Sequence, residues 1–293
     1  MRWSKRISLG QHTLVDFQIR KKIIEASQIN KHEIVCEAGT GNGMLTYELC
    51  RHSKSVISYE IDSILFAKAS KRTLPNLKLV NADIFKIGNL NFDVFVSNLP
   101  YSKSKDAFNW LPFQKFDRAI VMVQKEFAAK LQASPGEKNY RAISVVTQHC
   151  FNIQRLFNVD RKAFDPEPSI ESEVIKIVPK KHSRITHIII KNIYFLFSQR
   201  NRMATSVARK FGSKVDFGDT RIGRLNVEEM IQLARSIKYS RSKDAFDWLP
   251  FQKFDRAIVM IQKEFAAKLQ ASPGQKNYRA ISVTTQHCFN IQR

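Results

Sequence analysis

The sequence predicts an α/β fold with a mostly parallel, Rossmann-like sheet, followed by a small helical domain and a duplicated tail. Three observations support this. Strand-like and helix-like runs alternate through the first third of the chain, which is typical of parallel strands joined by crossover helices. The composition becomes basic and helical after Lys180, and a 55-residue segment occurs twice. We therefore expect domains at 1–180 and 181–238 and a non-catalytic duplicate at 239–293.

The elements follow from hydrophobic periodicity and turn residues. Strands are expected at 33–37, 55–59, 77–80 and 94–97, with helices at 44–50 and 64–71 between the first three. Later strands are expected at 119–123 and 174–178, and a helical pattern at 125–133 ends before Pro135-Gly136.

The charge is strongly positive and uneven. The chain has 48 Lys and Arg against 26 Asp and Glu, a formal net charge of +22. Between Lys180 and Arg241 there are 14 Lys and Arg against 4 Asp and Glu. A field of this sign attracts polyanions, so nucleic acid is the first partner to expect, with this stretch as a phosphate-contacting surface.

Cysteine usage and hydropathy predict a cytoplasmic protein without a metal site. The four cysteines show no CxxC spacing, so neither a zinc site nor a disulfide framework is indicated. No signal-peptide pattern opens the sequence, and the apolar stretch 187–197 is interrupted by Lys191 and Asn192 and is too short to span a bilayer.

The two copies of the repeat are residues 101–155 and 239–293, and they differ at five of 55 positions. The second copy is preceded by Ser236-Ile237-Lys238 instead of Asn98-Leu99-Pro100 and has no glycine turn before it, so it cannot form a second active site. One sheet has one place for such a segment. We favour a loosely packed appendage over exchange with the first copy or a domain-swapped dimer.

A glycine-rich turn, Gly39-Thr40-Gly41-Asn42-Gly43, follows the first strand and opens a helix. Glycines permit a tight turn and a close approach of the backbone to a ligand. The spacing is GxGxG, with Glu37 two residues ahead, whereas dinucleotide-binding turns have GxGxxG and a helix N-terminus for the pyrophosphate. S-adenosylmethionine carries no phosphate, so the spacing favours it over a nicotinamide cofactor.

Acidic residues follow the next two strands. Glu60 or Asp62 can accept both hydroxyls of a ribose, and Asp83 can accept from an adenine amino group. Each alone is more typical of a solvated strand end or a helix cap. Because successive parallel strands end at one sheet edge, together they favour a nucleoside site.

The fourth strand ends in the most specific motif, Asn98-Leu99-Pro100-Tyr101. An exocyclic amine conjugated to its ring is a poor nucleophile, so an enzyme must hold its N–H groups and direct the lone pair at the methyl group. The Asn98 side-chain oxygen and the Leu99 carbonyl can be the acceptors. Pro100 fixes the backbone, and Tyr101 can stack on the base.

The ordered set SLGQH, EAGTGNG, YEID, NAD, SNLPY and AFDPEPSIES resembles the KsgA-type rRNA adenine dimethyltransferase family over about residues 7–237. The resemblance implies an S-adenosylmethionine-dependent enzyme that methylates adenine N6 in ribosomal RNA, with adjacent adenines of the small-subunit RNA or its precursor particle as substrate.

Carried over by position, the resemblance implies a cofactor site and a target-base site. The cofactor site would consist of Gln11, His12, Leu14, Gly39, Gly41, Glu60, Asp83 and Asn98. Phe164 would face the flipped adenine opposite Tyr101. Residues 197–202 and 225–229 are similar to the family's small RNA-binding domain. Thr13, where the family usually has Phe, and the tail depart from its pattern.

Four alternatives stay open at this point. The Asn98-Leu99-Pro100-Tyr101 turn also suits methylation of large-subunit RNA or of DNA adenine. A non-catalytic RNA-binding assembly factor would keep the same fold. A nicotinamide dehydrogenase is disfavoured, because no residues for hydride chemistry are evident.

Overall fold

A computed structural model describes residues 12–72, 74–181 and 183–237. Gln11, Lys238 and the duplicate 239–293 lie outside these residues, so the predictions made for them are not addressed by the structure. Eighteen helices and strands in the described residues position the site. In chain order they are β1 (Thr13–Leu14), α1 (Phe17–Ser27), β2 (Ile34–Ala38), α2 (Met44–His52), β3 (Ser55–Glu60), α3 (Ser63–Ala69), β4 (Leu77–Asn81), β5 (Val94–Asn98), α4 (Ser104–Trp110), β6 (Arg118–Gln124), α5 (Lys125–Leu131), α6 (Ala142–Cys150), β7 (Phe151–Val159), β8 (Phe164–Asp165), β9 (Ser172–Pro179), α7 (His187–Ser198), α8 (Ala204–Lys210) and α9 (Val227–Ser236).

Seven of the strands form one sheet in the order β4-β3-β2-β5-β6-β9-β7. The first five are mutually parallel, whereas β9 pairs antiparallel with both β6 and β7. The prediction of a Rossmann-like α/β sheet is confirmed. The order reverses between β2 and β5, and ligands of open α/β sheets bind beyond the carboxyl ends of strands at such a point.

The central strands are buried on both faces, which explains their nearly continuous apolar runs. Val94, Phe95 and Val96 in β5 are all inaccessible to solvent. Strands β2 and β6 are similarly buried. Three apolar clusters result, two against the sheet and one among the helices.

The helical cluster contains residues from both sides of position 180. Tyr140, Val145 and Val146 pack with Ile193 of α7 and Leu233 of α9. The Tyr140 hydroxyl donates to the Leu225 carbonyl at 3.0 Å. The helices after 180 therefore bury their apolar faces against α6 and the loop before it, and the domain boundary near 180 stays a prediction.

The structure also contains elements that the sequence patterns did not predict: α1, α4, α6, β7 and the small antiparallel pair β1 and β8. Over the three described ranges, no helix combines the length and apolar character needed to cross a bilayer.

Candidate active site at the carboxyl ends of the sheet

A single cavity collects every predicted site residue that the structure describes. It contains about 1020 Å³ of space between atoms, part of it open to solvent. Eleven predicted residues line it: His12, Leu14, Gly39, Gly41, Glu60, Asp83, Asn98, Leu99, Pro100, Tyr101 and Phe164. Gln11 is the one predicted site residue outside the described part of the chain.

The glycine turn forms one wall of this cavity. Gly39 and Gly41 have φ angles of 84° and 58°, in the left-handed region that favours glycine. The Gly39 and Thr40 amides donate to the Tyr59 carbonyl, at 2.8 and 3.3 Å. These hydrogen bonds attach the turn to the end of β3. They fix the position of the Gly39 and Gly41 backbone, which lines the cavity.

Glu60 is held where β3 ends. Its carboxylate accepts from the Gly41 amide and from the Asp62 amide, both at 2.9 Å, and only 4% of the residue is exposed. Burial raises the pKa of this carboxyl above its ordinary value. Asp62 instead caps α3, because its carboxylate accepts from the Ile64 and Leu65 amides. Of the two candidates for a ribose, Glu60 is the one that lines the cavity.

Asp83 follows β4 and is engaged at both oxygens. The Phe85 amide donates to Oδ1 at 3.1 Å, and the Lys103 ammonium lies 2.8 Å from Oδ2. Lys103 stands two residues after the Asn98-Leu99-Pro100-Tyr101 motif, and the sequence patterns did not predict it as a site residue. A lysine this close to a site motif is the signal that could have indicated it.

The Asn98 turn is braced from three directions. The Asn98 side-chain amide donates to the His12 carbonyl at 3.3 Å, and the Leu99 amide donates to the Met122 carbonyl at 3.2 Å. The Tyr101 hydroxyl is 2.8 Å from the Ser172 hydroxyl at the start of β9. Because the Asn98 nitrogen donates to His12, the side-chain oxygen is the atom of this amide that can accept a hydrogen bond from a ligand.

The pair β1 and β8 covers this turn. Leu14 pairs with Phe164, and the His12 ring donates from Nδ1 to the Pro166 carbonyl at 2.8 Å. Arg20 of α1 donates to the Leu14 carbonyl at 3.2 Å and the Val15 carbonyl at 2.8 Å. A two-residue strand is too short to persist by itself, so these bonds hold the cover in place.

Among the aromatic residues that line the cavity are His12, Tyr101 and Phe164, and Tyr101 lies beside His12. The ring centroids of Tyr101 and His12 are 5.3 Å apart, with the planes tilted by 35°. Phe164 lines the cavity but is only 4% exposed and packs in the core with Leu14 and Ile23. Its predicted place against a target base stays a prediction.

Glu37 is a buried carboxyl beneath the glycine turn. It is 1% exposed, and its Oε2 accepts from the Thr46 and Ser58 hydroxyls, each at 2.6 Å. Ser58 also lies 2.6 Å from the Thr40 hydroxyl, which links Glu37 to the turn. Its Oε1 accepts no hydrogen bond from the described residues, and burial raises its pKa to about 7. An acid inside an apolar strand is the sequence signal for such a group.

The chemistry of the cavity is that of nucleoside and amine recognition. It presents three acidic side chains (Glu37, Glu60 and Asp83), a backbone turn and an amide oxygen, with aromatic rings beside them. Among residues 12–72, 74–181 and 183–237, no cluster of three His, Cys, Asp or Glu side chains is placed to hold a metal ion.

Comparisons with known proteins point to one family. The family model for ribosomal RNA adenine dimethylase matches residues 2–215 and again residues 206–293, a range that includes the duplicate. Ribosomal RNA small subunit methyltransferase A of Thermotoga maritima is 34% identical over 230 residues, which cover 77% of this chain and 82% of that protein.

Two solved structures resemble the described fold. A dimethyladenosine transferase from Plasmodium falciparum superposes with a TM-score of 0.66 and 26% identity, covering 76% of this chain and 96% of its own. The 23S rRNA methyltransferase ErmE superposes with a TM-score of 0.51 and 22% identity, over 76% of this chain and 98% of its own, which is a likeness of fold. On its sequence match, its fold and its cavity, this chain belongs to the ribosomal RNA adenine dimethylase family.

Proposed function

We propose that the protein transfers two methyl groups from S-adenosylmethionine to N6 of adenine in ribosomal RNA, with adjacent adenines of the small-subunit RNA as substrate. The observation that carries the proposal is the meeting of the Asn98-Leu99-Pro100-Tyr101 turn with Glu60 and Asp83 in one cavity. The family match supports the chemistry, and the relative named for the small subunit supports the substrate.

The residues of the cavity fit S-adenosylmethionine. Glu60 would accept from the ribose hydroxyls, and Asp83 would accept from the adenine amino group. The backbone at Gly39 and Gly41, together with His12 and Leu14, would enclose the remainder, with Gln11 in support. Oε1 of Glu37, which has no hydrogen-bond partner among the described residues, is consistent with a cationic ligand, since a buried carboxylate oxygen is stabilised by positive charge. The cofactor supplies an electrophilic methyl group on a sulfonium.

The chain's own contribution is to hold the target amine. The Asn98 side-chain oxygen and the Leu99 carbonyl would accept hydrogen bonds from the N6 amino group, which directs the nitrogen lone pair toward the methyl group. The bound cofactor would supply that methyl group, and the proton made acidic by methylation would pass to water. Tyr101, whose hydroxyl is held by Ser172, and Phe164 confine the base.

The target adenine must leave any helix to enter this cavity. Bases that undergo chemistry are turned out of the stack, at a cost of a few kcal/mol that is least for unpaired nucleotides. RNA is read mainly in loops and at helix ends. We therefore place the substrate adenines in a loop, and the protein in the cytoplasm with the ribosomal particles.

Product analysis tests the proposal. Protein would be incubated with methyl-labelled cofactor and, separately, small-subunit particles, large-subunit particles and double-stranded DNA, and the digests would be separated as nucleosides. We expect label in N6,N6-dimethyladenosine from small-subunit particles. Label from large-subunit RNA or DNA alone would contradict the substrate. Cofactor binding without transfer to any of the three would favour the non-catalytic assembly factor.

A further inference from the structure

Lys103 lines the cavity, and its ammonium contacts two carboxylates. It lies 2.8 Å from Oδ2 of Asp83 and 3.5 Å from Oδ2 of Asp106. The Asp83 side chain is 10% exposed and lines the cavity, whereas the Asp106 side chain is 51% exposed and does not. The ion pair with Asp83 is therefore the partly buried one, where solvent screens the attraction less.

The backbone that carries Lys103 is held on both sides. Lys103 is the last residue of the 3-10 turn Tyr101–Lys103, and its amide donates to the Pro100 carbonyl at 2.8 Å. The Ser104 amide donates to the Tyr101 carbonyl, at the residue where α4 begins. The lysine side chain therefore extends toward the carboxylate from a fixed point.

The Asp83 carboxylate is held at each oxygen by a different donor. The Phe85 amide donates to Oδ1 at 3.1 Å, and the Lys103 ammonium donates to Oδ2 at 2.8 Å. One hydrogen bond alone would let the carboxylate plane turn about the Cβ–Cγ bond, whose rotamers are broad, whereas two bonds at different oxygens define that plane. A carboxylate can accept about four hydrogen bonds, so each oxygen keeps a lone pair for a ligand in the cavity.

Lys103 also sets the charge at this end of the cavity. Burial lowers the pKa of its ammonium, but the hydrogen bond to Asp83 outweighs burial and holds the pKa above its ordinary value. The ammonium is therefore protonated at neutral pH and balances the charge of the Asp83 carboxylate. A lone carboxylate in a partly buried place attracts any cation. A carboxylate paired with an ammonium acts instead as a hydrogen-bond acceptor, which suits the neutral amino group of a purine.

We propose that Lys103 is a positioning residue for the adenine of the cofactor, which fixes the Asp83 carboxylate so that its open lone pairs meet the 6-amino group. Lys103 thereby selects a 6-aminopurine over purines that lack this group. The inference rests on the proposed function, in which Asp83 accepts from the adenine amino group of S-adenosylmethionine. Lys103 acts through Asp83 and takes no part in methyl transfer.

Binding of two ligands that differ only at the 6-amino group tests this. The probes are S-adenosylhomocysteine and its 6-deamino form, in which purine replaces adenine, and calorimetry gives the Kd of each. The ratio of the two Kd values reports the hydrogen bond to the amino group, because the rest of the ligand is the same. The variants are Lys103→Met, Lys103→Arg, Asp83→Ala and the combination of Lys103→Met with Asp83→Ala. Lys105→Met is the control, since it removes the same charge two residues on, from an exposed side chain that does not line the cavity.

Wild type should bind S-adenosylhomocysteine about 30-fold more tightly than the 6-deamino form, as expected for a hydrogen bond to a charged group. Lys103→Met should lower this ratio below about fivefold, because the remaining carboxylate is no longer held in one plane. Lys103→Arg keeps the charge and a donor, and both it and Lys105→Met should stay within about twofold of the wild-type ratio. Once Asp83→Ala has removed the carboxylate, adding Lys103→Met should change the ratio by less than about twofold, since the two residues act as one unit.

A wild-type ratio retained by Lys103→Met would overturn the inference, even with weaker binding of both ligands, because an ion pair that only supports the fold would give that result. An equal fall in the ratio for Lys105→Met would also overturn it, by showing an effect of net charge. So would a further fall when Lys103→Met is added to Asp83→Ala, which would mean that Lys103 acts without Asp83. A wild-type ratio near one would likewise overturn it, since the amino group would then not be bound by Asp83. Failure of wild type to bind S-adenosylhomocysteine at all would instead count against the proposed function.

Discussion

Glu60 and Asp62 have different roles because their carboxylates point in different directions. Glu60 and Asp62 are both placed by sequence at the end of β3, and only the structure separates them. Glu60 faces the cavity and holds the Gly41 amide, whereas Asp62 turns back to cap α3. Sequence could not settle this, because both residues occupy the strand end and differ only in side-chain direction.

Neutralising each acid should therefore give different results. Glu60→Gln should raise the cofactor Kd by about 10- to 100-fold, since a hydrogen bond to a charged group contributes roughly 1.5–3 kcal/mol. Asp62→Asn keeps an oxygen for the α3 cap and should leave the cofactor Kd within twofold. Calorimetry on both variants measures this. A larger rise in Kd for Asp62→Asn would show that the assignment is reversed.

Glu37 predicts a particular pH dependence of stability. Burial raises its pKa from the ordinary 4.5 to about 7 in the folded chain, so the folded state binds this proton more tightly than the unfolded state. The stabilisation is complete below about pH 4.5 and is lost as pH rises through 7. The loss amounts to about 3 kcal/mol, at 1.36 kcal/mol for each pKa unit.

Denaturant unfolding at pH 5 and pH 8 would measure it. Wild type should lose more free energy of unfolding between these pH values than Glu37→Gln, while Glu126→Gln, a change at an exposed acid, should behave as wild type. Equal pH dependence in wild type and Glu37→Gln would show that Glu37 is ionised throughout this range.

At the scale of elements, helix α6 and strand β7 were not predicted from the sequence patterns. Strand β7 is an edge strand with an irregularity between Arg155 and Phe157, which interrupts its two-residue alternation. Helix α6 reads Ala-Ile-Ser-Val-Val-Thr, and β-branched residues favour strands over helices. Its helical form comes from packing against α7 and α9, contacts between residues distant in sequence. The parallel strands, by contrast, were predictable because burial on both faces leaves uninterrupted apolar runs.

The two copies of the repeat supply a test of that packing. Val146 of α6 is fully buried in the helical cluster, and the second copy has Thr284 at the matching position. Val146→Thr places a hydroxyl in an apolar environment and should lower the free energy of unfolding by about 1–3 kcal/mol. Glu137→Gln, also taken from the second copy, is exposed and should change it by less than about 0.5 kcal/mol.

Urea unfolding of both variants is the measurement. A neutral Val146→Thr would mean that the hydroxyl finds a partner within the helix. The five differences between the two copies are evident in the sequence. The structure was needed to show which of the five positions lie in the core.

On the scale of the whole molecule, the catalytic sheet and the helical segment are joined through one apolar cluster. Tyr140 and Val145 contribute to this cluster from before position 180. The basic composition after 180 was evident from sequence. That a loop of the catalytic part packs against the residues after 180 was not, since the hydrogen bond between Gly136 and Gly223 carries no local signal.

The duplicate at 239–293 lies outside the described residues, and we propose that it is dispensable for catalysis. All the site residues precede it, and its copy of Tyr101 lacks the preceding Asn, Leu and Pro. A domain-swapped dimer would place the second copy against another chain's sheet. Size-exclusion chromatography of the full chain and of one ending at Lys238 would distinguish this, because only the full chain would then dimerise.

The most direct test of the central claim is methyl transfer from labelled S-adenosylmethionine to small-subunit particles by wild type, Asn98→Ala and the chain ending at Lys238. Removing one preorganised acceptor at a reacting group typically costs about 10²–10³-fold in kcat. We expect dimethyladenosine from wild type and from the shortened chain, and a decrease of that size for Asn98→Ala. Transfer by Asn98→Ala at the wild-type rate would contradict the claim that this turn holds the target amine.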